Sequence, residues 1–310
     1  MDVNRAGDLR VVLCGSELSE FAFLAVDRLI TVGPWPSTGG SDVGNISDRW
    51  RWSPAGDAVL IPAHEDGDPV LPLYRVGASP VRLRRGRMAE WISADEILLL
   101  DADGDLWRRS VWTDGGETLV LRGVVAVRVS PTPDHVAIEQ AAGRAQTGVY
   151  RLPEFERVGA ASAGQLLDEG WAPTGRILLV TIGVEDPILH QLEGPEWAPI
   201  SLGVAADGGI AWAPDGGAIV LENRRQRSQL VDLRSGTRTD LGLVTSATWA
   251  PDGEKFAAQH RAELGSSRIT VYARGGQKLL AVTRTANRLG DLQWSADSLR
   301  LSFSSRFDLS

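Results

Sequence analysis

Seven times along this chain a short phrase recurs: a Trp or Val, a small residue, usually Pro, and then an acidic or turn-forming pair, followed by an apolar run. The copies start at Trp52 (WSPAGDAVLI), Trp91 (WISADEILLL), Val129 (VSPTPDHVAI), Trp171 (WAPTGRILLV), Trp212 (WAPDGGAIVL), Trp249 (WAPDGEKFAA) and Trp294 (WSADSLRLSF). Pro fixes φ for the second position of a type I turn, Asp can bond its own backbone, and Gly accepts the left-handed exit. The run that follows is rich in Ile, Val and Leu and too short for a helix, so each phrase reads as strand, turn, strand. The intervals are 39, 38, 42, 41, 37 and 45 residues. A period of that size constrains the fold more than any other feature, because one such unit cannot bury its own faces.

The period matches one four-stranded propeller blade. In the fifth repeat the strands are expected at Gly209–Ala213, Ala218–Glu222, Gln229–Leu233 and Thr237–Leu241. In the second they fall at Met88–Ile92, Glu96–Leu100, Asp105–Trp112 and Glu117–Leu121. Continuous apolar runs such as Ile97–Leu100 and Ile177–Val180 fit strands covered on both faces. These phrases resemble the WD40-like (PD40) repeats of the TolB-type β-propellers, also found in relatives of prolyl oligopeptidase. The resemblance runs from about Arg49 to the C-terminus and implies a fold rather than an activity. The third copy departs from it at Val129 and at Pro133-Asp134, and the second and seventh carry Ala94 and Ala296 in place of Pro.

The expected fold is all-β: a single seven-bladed propeller of four-stranded antiparallel blades over residues 1–310. Residues 1–48 supply a closing strand and an irregular segment, and 49–310 the seven repeats. The last repeat offers only Leu299–Ser304 and Arg306–Leu309 after its first strand, and an N-terminal strand, Leu9–Cys14, would complete that blade and remove an open edge. Phe21–Val32 also reads as strand. The alternative is an eighth, degenerate blade, since Phe23–Ile30 parallels Trp91–Leu98.

A net charge of −8 argues against nucleic-acid binding through an overall basic surface. Cys14 is the single cysteine, so no internal disulfide can form. Its context, Val11-Val12-Leu13-Cys14-Gly15, lacks the small residue and apolar lead-in of a lipoprotein site, and a buried strand cysteine is expected. No signal peptide or membrane-spanning run is visible. The expectation is therefore cytoplasmic, or extracytoplasmic if the chain is a mature or trimmed form.

The motif Trp residues and the turn residues Asp57, Asp95, Asp215, Asp252 and Asp297 repeat with the structural unit and read as packing and turn chemistry rather than as a site. Off the motif, Trp107, Trp112, Trp197 and Trp50 read as packing, while Trp35, in the Gly/Ser/Pro-rich loop Pro34–Ser47, could anchor a partner. His64 and His260 lie 12 and 11 residues past their motif Trp and are the one pair suggestive of a metal, although zinc spacing is absent. Among the loops, Arg84, Arg85, Arg87, Arg224, Arg225 and Arg227 form an Arg-bearing set suited to an acidic protein surface or an anionic ligand. Arg51, Glu90 and Arg128 precede the motif residue in three successive repeats, and Gln293 does so in the last. On innermost strands they would either chain together as ion pairs or face a channel ligand.

No nucleophile elbow, phosphate loop or dinucleotide fingerprint occurs, and neither a catalytic residue nor a cofactor is assigned. The expected function is a binding or scaffold propeller that engages a protein or peptide through one loop face or the channel mouth. A propeller lyase or hydrolase acting at the channel is the alternative.

Overall fold

The computed structural model describes residues 2–3, 9–14, 20–25 and 29–34 as strands. From residue 51 it describes the chain apart from 61–62, 66–67, 76–80, 84–85, 113–115, 143, 183–187, 194–196, 206–208, 223–226, 262–266, 285–287 and 307–310. Every regular element among the described residues is a strand. The chain divides into two compact units. One is 1–129 with 136–144 and 150–157; the other is 130–135, 145–149 and 158–310.

The first unit opens with β1 (Asp2–Val3), β2 (Leu9–Cys14), β3 (Glu20–Ala25) and β4 (Leu29–Pro34), paired in that order as one sheet. Next come β5 (Arg51–Trp52) and β6 (Ala58–Leu60), then a separate hairpin, β7 (Ala63–Glu65) with β8 (Asp68–Val70). After it β9 (Pro72–Arg75) and β10 (Val81–Arg82) complete the sheet β5-β6-β9-β10. The third sheet is β11 (Gly86–Trp91), β12 (Glu96–Asp101), β13 (Leu106–Ser110) and β14 (Thr118–Leu121). The fourth, whose residues fall in both units, is β15 (Val124–Val129), β16 (His135–Ala142), β17 (Arg144–Arg151) and β18 (Glu156–Ala163).

The second unit holds β19 (Gln165–Trp171), β20 (Ile177–Ile182), β21 (Ile188–Glu193) and β22 (Ala198–Ala205). A sheet of β23 (Ile210–Trp212), β24 (Ala218–Leu221), β25 (Ser228–Asp232) and β26 (Arg238–Gly242) follows. Then come β27 (Val244–Trp249), β28 (Lys255–Arg261), β29 (Ser267–Ala273) and β30 (Lys278–Arg284), and a two-stranded sheet of β31 (Arg288–Trp294) and β32 (Leu301–Arg306). Second strands are the most deeply buried: Ile97–Leu100, Leu178–Val180 and Phe256–Ala258 are fully covered. Their unbroken apolar runs are what two covered faces require.

The repeated phrase makes one turn again and again. Ala213 N–H donates to Ala218 O at 2.9 Å and Gly216 N–H to Ala213 O at 2.8 Å. The same pair of bonds recurs at Ser53, Ala172, Ala250 and Ser295. Gly216 sits at φ +71°, where a Cβ would also press on Thr174 and Ala172. The seventh copy puts Ser298 in this conformation at φ +60°. Its buried hydroxyl accepts the Asp252 N–H at 3.0 Å, tying one turn to the preceding one. The second copy, with neither Pro nor Gly, closes one residue tighter, with Ile92 N–H on Glu96 O at 3.0 Å.

The Trp of the phrase joins neighbouring sheets. The indole N–H of Trp91 donates to Arg51 O at 2.8 Å, that of Trp249 to Ala211 O at 3.0 Å, and that of Trp294 to Thr248 O at 3.1 Å. In each case the acceptor is the residue just before the previous motif Trp. Trp212 reaches one residue further, to Glu169 O at 2.7 Å, beside a break in register between Leu166 and Trp171. Each indole buries a large apolar surface between sheets and satisfies its own donor there.

The N-terminal segment differs from expectation. Leu9–Cys14 does not complete the last sheet: Val11 pairs with Asp2 on one side and with Phe23 on the other, so β2 has both edges filled within its own sheet. A strand with both edges paired has none left to complete another sheet. Trp35 and Trp50 lie outside the described residues.

Candidate functional site

The first strands carry the contrast that defines the site. In the first unit, Arg51 Nε lies 3.2 Å from Glu90 Oε1, and Arg128 Nη1 lies 3.8 Å from the same oxygen. Arg128 also donates to Met88 Sδ at 2.9 Å and to Val127 O at 2.8 Å. Glu90 is buried, and two guanidinium groups flanking one carboxylate supply the partners that a buried charge needs. The three residues recorded at this position in sequence therefore form a single chain of ion pairs across neighbouring sheets.

In the second unit the positions before Trp171, Trp212 and Trp249 are small, Gly170, Ala211 and Thr248, and the last, before Trp294, is Gln293. A groove of about 660 Å³ opens there, lined by the small residues Gly209, Ala211, Ser246, Ala247 and Thr248 and by Trp212, Trp249, Pro173 and Pro214. Two carboxylates line it. Glu169 Oε2 accepts the Ile210 N–H at 3.1 Å and Glu222 Oε1 accepts the Ala247 N–H at 2.7 Å. Each Glu thus accepts a backbone N–H from the first strand of the sheet that follows it, which holds an acidic group at the groove. Glu169 and Glu222 escaped sequence reasoning. The signal was the switch from Arg, Glu, Arg to Gly, Ala, Thr just before the motif residue.

Of the Arg-bearing set, Arg87 and Arg227 have described side chains; Arg84, Arg85, Arg224 and Arg225 lie outside the described residues. Arg87 is exposed, yet its Nη2 donates to Val124 O and Val125 O, both at 2.9 Å, linking the third sheet to the fourth. Arg227 Nε pairs with Asp240 at 3.0 Å. It borders a cleft of about 110 Å³ together with Gln229, Leu221 and Arg238. Arg238 in turn donates to Gly203 O at 3.2 Å and to Leu202 O.

His260 is buried on β28, with Nε2 3.1 Å from the Tyr272 hydroxyl. Burial, with Arg268 and Lys278 nearby, pulls its pKa down to about 4 against the smaller opposing effect of a hydrogen bond to the Leu243 backbone, so the ring is neutral at pH 7. The His64 side chain lies outside the described residues. Among the described residues no group of three or more His, Cys, Asp or Glu side chains is arranged to hold a metal.

The turn aspartates are engaged locally. Asp215 accepts the Gly217 N–H at 3.0 Å and pairs with Arg274 at 2.7 Å. Burial pushes its carboxyl pKa up, but these bonds and the guanidinium together bring it below the usual carboxylate value. Asp252 and Asp297 accept the N–H two residues on, each at 3.0 Å. The described off-motif Trp residues also pack: Trp107 donates to Asp101 at 2.8 Å, and Trp112 lies 6.4 Å from Trp91 beneath the Arg75 guanidinium. Trp197 meets Trp171 edge-on at 5.4 Å and His135 at 5.3 Å.

No protein-family profile and no curated protein sequence matches the chain. Solved structures match its fold. The crystal structure of a eukaryotic initiation factor superposes with a TM-score of 0.55 at 12% identity, over 92% of this chain and 87% of that one. The C-terminal WD40 domain of Sif2 gives 0.56 at 14% identity, over 92% and 86%. At such identities the likeness is one of fold: the chain is an all-β, WD40-like propeller. Among the described residues no helix is long and apolar enough to cross a membrane.

Proposed function

We propose that the protein is a non-catalytic interaction module, a TolB-type propeller that holds an extended segment of a protein partner in the groove of its second unit. The observation that carries this reading is the groove itself. Where the first unit fills its first strands with an ion-pair chain, the second leaves a groove of about 660 Å³ lined in part by small residues. Two indoles, two prolines and two fixed carboxylates suit a peptide backbone that presents a basic side chain. Trp is enriched among the few residues that carry most of the energy of a binding interface.

The test is peptide selection on the immobilised protein, followed by titration calorimetry of the selected ligands. Lys- or Arg-bearing peptides are expected, and Thr248→Arg, which places a cation in the groove, should weaken them at least about tenfold. Equal affinity for the variant, with its thermal melt unchanged, would overturn the reading.

The cleft beside Arg227 and Arg238 supports a second, smaller contact, for a carboxylate of the partner. Replacing Arg224, Arg225 and Arg227 together should then lower affinity without altering which peptides are selected. Unchanged affinity would remove this contact from the account.

A further inference from the structure

Glu169 departs from a repeat position that every other copy keeps apolar. Two residues before the motif residue the others carry Trp50, Ala89, Val127, Ile210, Ala247 and Leu292. Ala89, Val127 and Ile210 are buried there, whereas Glu169 is exposed.

The backbone of β19 accounts for the difference. In β11, β15 and β27 the first strand holds one extra residue, Arg87, Val125 and Thr245, between positions that pair with adjacent residues of the second strand. In β19, Leu166 pairs with Val180 and Trp171 with Leu178, so Leu167, Asp168, Glu169 and Gly170 stand opposite Leu179 alone. A bulge re-aims the side chains it carries. Gly170 lets this one close, since a Cβ there would lie 2.7 Å from Leu179 O and 3.1 Å from Leu167 O. Two bonds then hold Glu169 in place. Its Oε2 accepts the Ile210 N–H at 3.1 Å, and its backbone oxygen accepts the Trp212 indole N–H at 2.7 Å. Carboxylate and indole are thereby fixed together on the lining of the groove.

Glu222 instead follows the repeat. It stands ten residues after its motif Trp, where other copies carry Asp101, Glu139, Thr181 and Gln259, each polar and buried. Its Oε1 accepts the Ala247 N–H at 2.7 Å, just past the extra residue of β27. Asp101 likewise accepts the N–H groups of Asp103 and Asp105 at 3.0 and 2.9 Å. A buried polar group that recurs at one position serves the backbone around it.

We infer that Glu169, rather than Glu222, selects the ligand of the groove: its carboxylate takes the ammonium or guanidinium group of a basic side chain on the bound segment, beside the Trp212 ring. This role rests on the groove being the binding surface. A carboxylate already held by a backbone N–H has little freedom left to lose when the cation arrives, and the adjoining indole adds cation–π attraction.

The probes are one selected peptide synthesised with Lys at its basic position and the same peptide with norleucine there, which keeps the side-chain length and removes the charge. Both are titrated by calorimetry against wild type, Glu169→Gln and Glu222→Gln. Gln retains an acceptor for the backbone N–H in each variant, so the fold is kept. Wild type should prefer the Lys peptide at least about tenfold, and Glu169→Gln should cut that preference to about twofold or less. Glu222→Gln should reduce it by less than about threefold. Equal loss in the two variants, or the greater loss in Glu222→Gln, would overturn the inference and leave the groove as the binding surface. A wild-type protein that binds both peptides equally, or neither, would remove recognition of a cation altogether and overturn the reading of the groove with it.

Discussion

At the position just before the motif residue, one unit of this molecule places Arg51, Glu90 and Arg128, and the other places Gly170, Ala211 and Thr248, with Gln293 in its last copy. Part of the scaffold around these positions is alike. Trp91 reaches Arg51 O much as Trp249 reaches Ala211 O. A repeated scaffold thus carries two different interiors: one closed by charges that satisfy each other, and one left open and lined by two carboxylates. Repetition marks what the fold needs, and the binding groove we propose lies where the repetition lapses.

The largest effect should come from breaking the closed side. Glu90→Ala leaves the mostly buried Arg128 and the half-buried Arg51 without their shared carboxylate, and should cost about 3 kcal/mol in urea denaturation. A cost below about 1 kcal/mol would mean that the chain of charges is well solvated and that the two interiors differ less than described.

Acid should then act on the open side. His260 has a folded pKa of about 4, below the value of about 6.5 of an unfolded chain. A depressed pKa means that the unfolded state binds more protons between these values, so stability is full above pH 6.5 and falls as pH drops towards 4, by roughly 3 kcal/mol in all. His260→Gln, measured by thermal melting from pH 7 to 4, should flatten that decline. An unchanged profile would show that other groups set the acid sensitivity.

The clip common to both units should cost less. Trp249→Phe and Trp91→Phe each remove one interior indole donor and strand a backbone carbonyl, so each should lose about 1–2 kcal/mol, and by similar amounts. Unequal losses would break the claim that the scaffold is the same on both sides. Smallest of all is the stability effect of Thr248→Arg, an added side chain in an open groove, expected within about 0.5 kcal/mol of wild type.

Much of the scaffold was legible because its chemistry is local. Trp-Ala-Pro-Asp-Gly dictates its own turn, and the strands expected in the repeats of Trp212 and Trp91 match those observed to within two residues at every end. The N-terminal closure was not legible: which edge Leu9–Cys14 fills depends on whether Asp2–Val3 and Glu20–Ala25 reach it first, and no local residue states that. The ion-pair chain was half-visible, since Arg51, Glu90 and Arg128 alternate in sign at one repeat position. The groove was hidden because it consists of what is missing. Ala211 and Thr248 are unremarked in a sequence, and Glu169 and Glu222 come together only when successive sheets stack.

The most direct measurement is hydrogen exchange by mass spectrometry on the full chain, with and without one selected basic peptide. The account predicts slowed exchange in residues 209–213 and 244–249, and none in residues 88–91. Protection at 88–91 with none at 209–213 and 244–249 would contradict it, placing the binding surface on the side closed by charges.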